Sequence, residues 1–150
     1  MAWQAPRTWV VGELVTAAFL NQDVRDNLLY LTTWSQNDVT GARAIDGTVY
    51  QNTTDMIMFV TVSVNCRVDG DVDYGRSEVS FRCDAATPPV TDIGTIDTTI
   101  LVGTTMNYDI QNALSFTFIV LPNFYYKGTS FNTGGGVAPA LIDWFEWNCA

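Results

Sequence analysis

From Met56 to Asn65 the chain alternates for ten residues, with Met56, Met58, Val60, Val62 and Val64 on one face and Ile57, Phe59, Thr61, Ser63 and Asn65 on the other. A period of two held that long fits a strand with one face in a core, and it defeats a helix, whose apolar positions recur at three and four. The second face passes from apolar to polar along its length. Asp109–Leu121 is the second long strand region, with Phe116, Phe118 and Val120 set against Thr117, Ile119 and Leu121.

Shorter strands are expected at Thr48–Asn52, Glu78–Cys83, Val90–Ile93, Thr98–Val102, Phe124–Lys127 and Leu141–Asn148. Turn signals at Asn52–Asp55, Thr87-Pro88-Pro89 and Pro122-Asn123 separate them, Val68–Gly75 reads as a hairpin loop, and Gly128–Gly136 reads as a surface loop. Many short strands at such intervals predict a mainly β chain, an antiparallel sandwich of jelly-roll type.

A different period precedes the β region. Thr16 is a plausible N-cap, and Ala17-Ala18 opens an amphipathic helix expected to reach about Thr33. Ala17, Val24 and Leu31 fall at heptad position a, and Leu20, Asn27 and Trp34 at position d. Such a stripe either packs on its own β domain or joins copies in a short coiled coil. Asn27 speaks for the second arrangement, because symmetry copies satisfy a buried amide that is costly alone. Ahead of the helix, Met1–Gly12 reads as an extended arm whose aromatics need an apolar docking partner, broken at Gly12-Glu13. The expected organisation is 1–37 arm and helix, 38–47 linker, and 48–150 β-sandwich.

Composition narrows the chemistry. The net charge of −9 sets nucleic acid and anionic membrane aside as partners. The chain has no histidine, which removes the usual general base and metal ligand, and no enzymatic activity is expected. Asp143 and Glu146 share one expected strand with side chains on opposite faces, a poor pair for glycoside hydrolysis. Cys66, Cys83 and Cys149 lie outside any zinc spacing and read as reduced thiols, with a Cys66–Cys83 bridge as the competing arrangement. Asp69, Asp71 and Asp73 have the one-apart spacing of a calcium loop, but Tyr74 stands where an EF-hand needs Gly and Ser80 where it needs Glu. A solvated acidic loop is the better reading, and no metal or cofactor is expected. Gly134-Gly135-Gly136 lacks the Lys of a phosphate loop. Tyr125, Tyr126, Trp144 and Trp147 are candidate glycan contacts, unless they fill the core and a seam between subunits.

The stretch WVVGELVTAAFLNQDVRDNLLYL resembles a recurrent N-terminal module of tailed-bacteriophage virion proteins, in which W-x-x-G-E-x-V-T-A-A-x-L-N precedes a short helix. The downstream residues Gly47–Thr54, Met58–Val62, Ser115–Val120 with Pro122 and Tyr125–Lys127, and Asp143–Trp147 are similar to domains that end phage fibre and tip proteins. Leu121-Pro122-Asn123 stands where such domains often have a Pro-Pro-Gly turn.

The resemblance implies a non-enzymatic virion structural protein, commonly trimeric, assembled in the host cytoplasm and placed on the virion. On that reading Trp3, Trp9, Val10, Gly12 and Glu13 anchor the particle, and Leu20, Val24, Asn27, Leu31 and Trp34 carry trimerisation. The expected partners are other copies of the chain, other tail or capsid proteins and a host surface glycan. The absence of a secretion signal and of an 18-residue apolar run agrees with assembly before lysis. Fibre, tip and capsid decoration proteins reuse similar modules, so the particle position is left open.

Overall fold

A computed structural model describes residues 8, 11–14, 16–21, 24, 34–69, 74–100 and 109–149. It is a β-sandwich of two four-stranded antiparallel sheets. The strands are β1 (Trp34–Asp38), β2 (Tyr50–Gln51), β3 (Met58–Val68), β4 (Gly75–Asp84), β5 (Asp92–Ile100), β6 (Ile110–Val120), β7 (Tyr125–Gly134) and β8 (Gly136–Cys149). Sheet A runs β1-β8-β3-β6 and sheet B runs β2-β7-β4-β5. The first strand thus pairs with the last, the second with the seventh, the third with the sixth and the fourth with the fifth.

β3 does what its alternation predicts. Met58, Val60, Val62, Val64, Cys66 and Val68 are all buried, and the first five join Val79, Phe81 and Ile96 of sheet B in one core cluster. Each fully buried Val contributes about 1.5–3 kcal/mol relative to exposure, so this strand alone supplies a large share of the core. β6 pairs with β3 from Met58↔Val120 to Val68↔Ile110, which puts Phe116 and Phe118 beside Phe81 at centroid distances of 5.2 and 5.7 Å.

Several expectations are corrected. β3 and β4 lie in different sheets, so the connection after Val68 crosses the sandwich and does not close a hairpin. Val90–Ile93 and Thr98–Val102 were expected as two weak strands, but a single strand, β5, spans Asp92–Ile100. The expected loop Gly128–Gly136 is mostly strand, since β7 pairs with β4 as far as Gly75↔Gly134. Gly128 serves close approach there: a Cβ at that position would stand 3.3 Å from Ile45 and Phe81. Only the Gly134–Gly136 end turns, with Gly134 at φ +59°. At Leu121-Pro122-Asn123, Asn123 adopts φ +63° and the Phe124 N–H donates to the Leu121 carbonyl at 3.1 Å. Proline followed by a left-handed residue suits a type II turn, and Asn takes the place glycine would hold.

The segment expected as a linker is stitched into the sandwich. β1 pairs with β8 from Trp34↔Cys149 to Asp38↔Phe145. The Val39 N–H donates to the Trp144 carbonyl at 2.9 Å, the Ser130 N–H donates to the Ile45 carbonyl at 2.7 Å, and Ile45 itself is buried. Among the described residues the sandwich therefore takes in 34–47. This also corrects the heptad assignment of Trp34: it is a strand residue whose ring meets Phe59 edge-on at 5.4 Å. Spacings of three and four carry meaning only while the chain stays helical, and pairing with β8 overrides them at that point.

Of the expected helix, one turn is described, α1 (Ala17–Leu20), in which the Leu20 N–H donates to the Thr16 carbonyl at 3.1 Å. Gly12 turns the chain at φ +88°, as the Gly12-Glu13 break suggested. Trp3, Trp9, Val10, Asn27 and Leu31 lie outside the described residues, as does most of the helix.

Candidate assembly surface

The outer faces of the two sheets differ in kind. On sheet B the outward residues of β4 and its neighbours include Arg76, Glu78, Arg82, Asp84, Asp97 and Lys127. Arg82 Nε reaches Asp92 Oδ1 at 2.7 Å and Arg76 Nε lies 3.8 Å from Asp97. This is an ordinary solvated face. On sheet A the outward positions of β3 are Phe59, Thr61, Ser63 and Asn65, opposite Ile119, Thr117, Ser115 and Ala113 of β6. None of these is charged.

Along that uncharged face, Thr61 Oγ1 and Thr117 Oγ1 are 3.0 Å apart, and Ser63 Oγ and Ser115 Oγ 2.8 Å. Each hydroxyl pair spends a hydrogen bond internally, which leaves fewer polar groups calling for water or ligand. Towards one end the face becomes aromatic. Trp34, Phe59, Thr61, Thr117 and Trp147 enclose an open groove of about 290 Å³. Ile57, Ile119 and Leu121 stand exposed close by in the sequence of β3 and β6. The walls come from β1, β8, β3 and β6, which the register brings side by side through Gln36↔Trp147, Phe59↔Trp147 and Thr61↔Thr117.

Beneath this face lies a buried polar cluster. Glu146, on the inward side of β8, accepts from Arg43 Nε at 2.7 Å, from Arg43 Nη2 at 3.0 Å and from the Tyr126 hydroxyl at 2.5 Å. Burial, followed by the hydrogen bond and charge of Glu146, pushes the Tyr126 phenol far above its usual range. Burial, the largest single influence, acts to lower the Arg43 pKa, but the Glu146 hydrogen bond and the interactions with Tyr126 and the Glu146 charge together outweigh it, and the net shift is upward. The Arg43 guanidinium also sits 4.4 Å from the Tyr50 ring centroid. The cluster joins the chain before β2 to both sheets, and it leaves Glu146 spoken for.

The four candidate glycan contacts therefore separate. Tyr126 and Trp144 are fully buried and belong to the core, which corrects their assignment to a surface platform. Tyr125 is half-buried on the outward side of sheet B, whereas Trp147 is half-buried on the outward side of sheet A. The contact missing from the sequence reading was Phe59, although the drift of its strand face from apolar to polar was visible. Asp143 and Glu146 do point to opposite faces, Glu146 inward. Asp71 and Asp73 lie outside the described residues, and Asp69 is paired with Arg67 at 2.9 Å.

Among the described residues no group of three His, Cys, Asp or Glu side chains could hold a metal ion. Cys66 and Cys83 are free and buried, and burial pushes the Cys83 thiol up to about 11, so it is a poor nucleophile near neutral pH. No described helix is long and apolar enough to cross a membrane. Neither protein-family models nor curated proteins match the chain.

Proposed function

We propose that this chain is a non-enzymatic structural protein of a tailed-bacteriophage virion, a homotrimeric fibre or tip protein. Its N-terminal arm and amphipathic, coiled-coil-forming helix hold it to the particle, and its β-sandwich faces outward for host attachment. The observation that carries the reading is the state of the described N-terminal side chains: Val11, Leu14, Leu20 and Val24 are all exposed, Leu20 at 47% and Val24 at 50%. A helix packed on its own sandwich would cover two of its seam residues. Single exposed apolar residues need no explanation, but four among the few described residues ahead of a finished domain suit a partner chain. The strand pairing supports the same reading, because first-with-last, second-with-seventh order is that of an eight-stranded jelly roll, a form used by viral capsid and lectin domains.

A second reading, a capsid decoration or head-fibre protein that braces a lattice position, is favoured by one observation. Two of the four residues offered to a sugar, Tyr126 and Trp144, are core side chains, while the surface that is left apolar suits protein contact. Both readings require self-association. Light scattering on the full chain should give three times the 16.6 kDa of one chain. A mass of 16.6 kDa throughout the micromolar range would remove the trimer from the account.

A further inference from the structure

We propose that the free edge of β6 takes up an extended segment of a different protein, which adds to sheet A as a fifth strand. An edge strand leaves a row of backbone N–H and C=O groups open to pairing, and sheet proteins ordinarily blunt such edges with short strands, charges, prolines or bulges. Among the described residues the sandwich has four sheet edges, and three are blunted. β2 is two residues long, β1 is five and carries Asp38, and β5 carries Asp92 and Asp97 and shifts register against Phe81 and Arg82 of β4. β6 has none of these devices. Its eleven residues, IQNALSFTFIV, hold no charge, Pro or Gly, and all eleven pair with β3 without a register shift. Among the described residues nothing pairs with its other side, which leaves an uninterrupted edge roughly 35 Å long.

The side chains of β6 define what the added segment must carry. Leu114 stands opposite Val64, which is fully buried, so it faces the interior, yet it is 41% exposed. On either side of it the gap to β5 is bridged, by the Asn112 amide donating to Thr98 Oγ1 at 3.0 Å and by the Phe116 ring against Gly94. A strand laid along β6 covers Leu114 when its own inward side chains are apolar, so the segment alternates apolar and polar residues. The net charge of −9 favours a neutral or basic segment. The exclusion of a second copy rests on the trimer proposed above. The only described edge on another copy that matches β6 in length and lack of charge is its own β6. Two β6 edges make an isologous contact, which closes at two copies and not at three.

The test uses the full chain and a synthetic peptide that alternates Val and Thr over about nine positions with Lys at both ends; a control peptide has Pro at its centre, which cannot donate to a ladder. Hydrogen exchange should find about half of the β6 amides, those turned away from β3, open in the chain alone, and slowed about tenfold or more by the peptide but not by the control. Leu114→Lys sets a charge on the inward side that reaches water only while the edge is open. It should weaken peptide binding about tenfold or more in calorimetry, with melting and light-scattering mass unchanged. Ala113→Lys carries the same charge on the outward face of the same strand and should bind within about threefold of wild type. No binding up to about 1 mM peptide, or equal losses from the two variants, would overturn strand addition. A light-scattering mass that falls with Leu114→Lys in the absence of peptide would mean that β6 joins copies, and would overturn the different protein as occupant. A wild-type monomer that binds the peptide with the same dependence on Leu114 would refute the trimer and leave the edge site standing. Should Leu114→Lys melt early, exchange on the wild type decides: slowing confined to β6 upholds the site, whereas slowing elsewhere, or β6 amides all protected without peptide, overturns it.

Discussion

Arg43→Ala tests whether the segment before β2 is part of the sandwich or a tether to it. In the folded chain the Glu146 carboxylate, with a side chain 9% exposed, holds three hydrogen bonds, two of them from Arg43. Removing the guanidinium leaves a buried carboxylate with the Tyr126 hydroxyl alone. Breaking a buried pair from one side costs about 3–5 kcal/mol. Arg43 keeps a fifth of its side chain in water, which lets solvent replace part of it, so about 3 kcal/mol is expected, lost contact with the Tyr50 ring included.

For a chain of this length, about 2–4 °C of melting temperature accompanies each kcal/mol, giving a drop of about 6–12 °C. Tyr126→Phe removes one hydrogen bond to a charge and should cost about 2 kcal/mol. Arg43→Met combined with Glu146→Leu takes both charges away and should recover to within about 1 kcal/mol of wild type. Urea unfolding followed by tryptophan fluorescence reads all three, at one fixed protein concentration so that self-association does not intrude. If Arg43→Ala costs less than about 1 kcal/mol, or if the double variant is as unstable as the single, the buried cluster does not anchor this segment as described.

Three further outcomes are expected. Asp84 accepts backbone N–H bonds from Thr91, Val90 and Ala86, and the first two lead in holding its carboxyl down at about 2. Its folded value lies below its unfolded one, so its stabilisation is full above about pH 4 and is lost as pH falls towards 2. Asp84→Asn should thus be less stable than wild type at pH 7, with the gap closing across that window in pH-dependent melts. Gly94 faces the Phe116 ring with no room for a methyl group, so Gly94→Ala should destabilise by about 1–3 kcal/mol through overpacking, measured by the urea midpoint. Truncation sets the domain boundary: a chain starting at Trp34 should melt as cooperatively as the full chain, whereas one starting at Asp38 loses nearly all of β1 and should melt lower, since β8 then has an unpaired edge.

How far the sequence led depends on whether one local signal decided the matter. β3 and β6 were legible because one face is continuously apolar and the other is not, so register and burial follow from the pleat. β8 was not, because Trp144, Phe145 and Trp147 put aromatics on both faces and the period cannot say which is inward. Burial of Trp144 and the outward, half-buried placement of Trp147 came from pairing with β3 and β1. Which strands share a sheet is a long-range matter, and the Val68–Gly75 connection was misread because a turn signal does not reveal whether the chain returns beside itself or crosses over. Glycine misled at Gly128, where it makes space for Ile45 and Phe81 and does not break the strand. The apolar start of the outward β3 face was in plain view at Ile57 and Phe59, but its meaning as a surface depended on Trp34 and Trp147 arriving from chain segments 25 and 88 residues from Phe59.

The central claim, a structural part of a virion that assembles through its N-terminal region, is tested most directly on particles. Density-gradient-purified phage from cells producing this chain can be analysed by peptide mass spectrometry beside the same preparation carrying Leu20→Asp with Val24→Asp. The account predicts that the wild-type chain co-sediments with infectious particles and that the variant stays in the soluble fraction with its sandwich folded. A wild-type chain recovered only in the soluble fraction would contradict it.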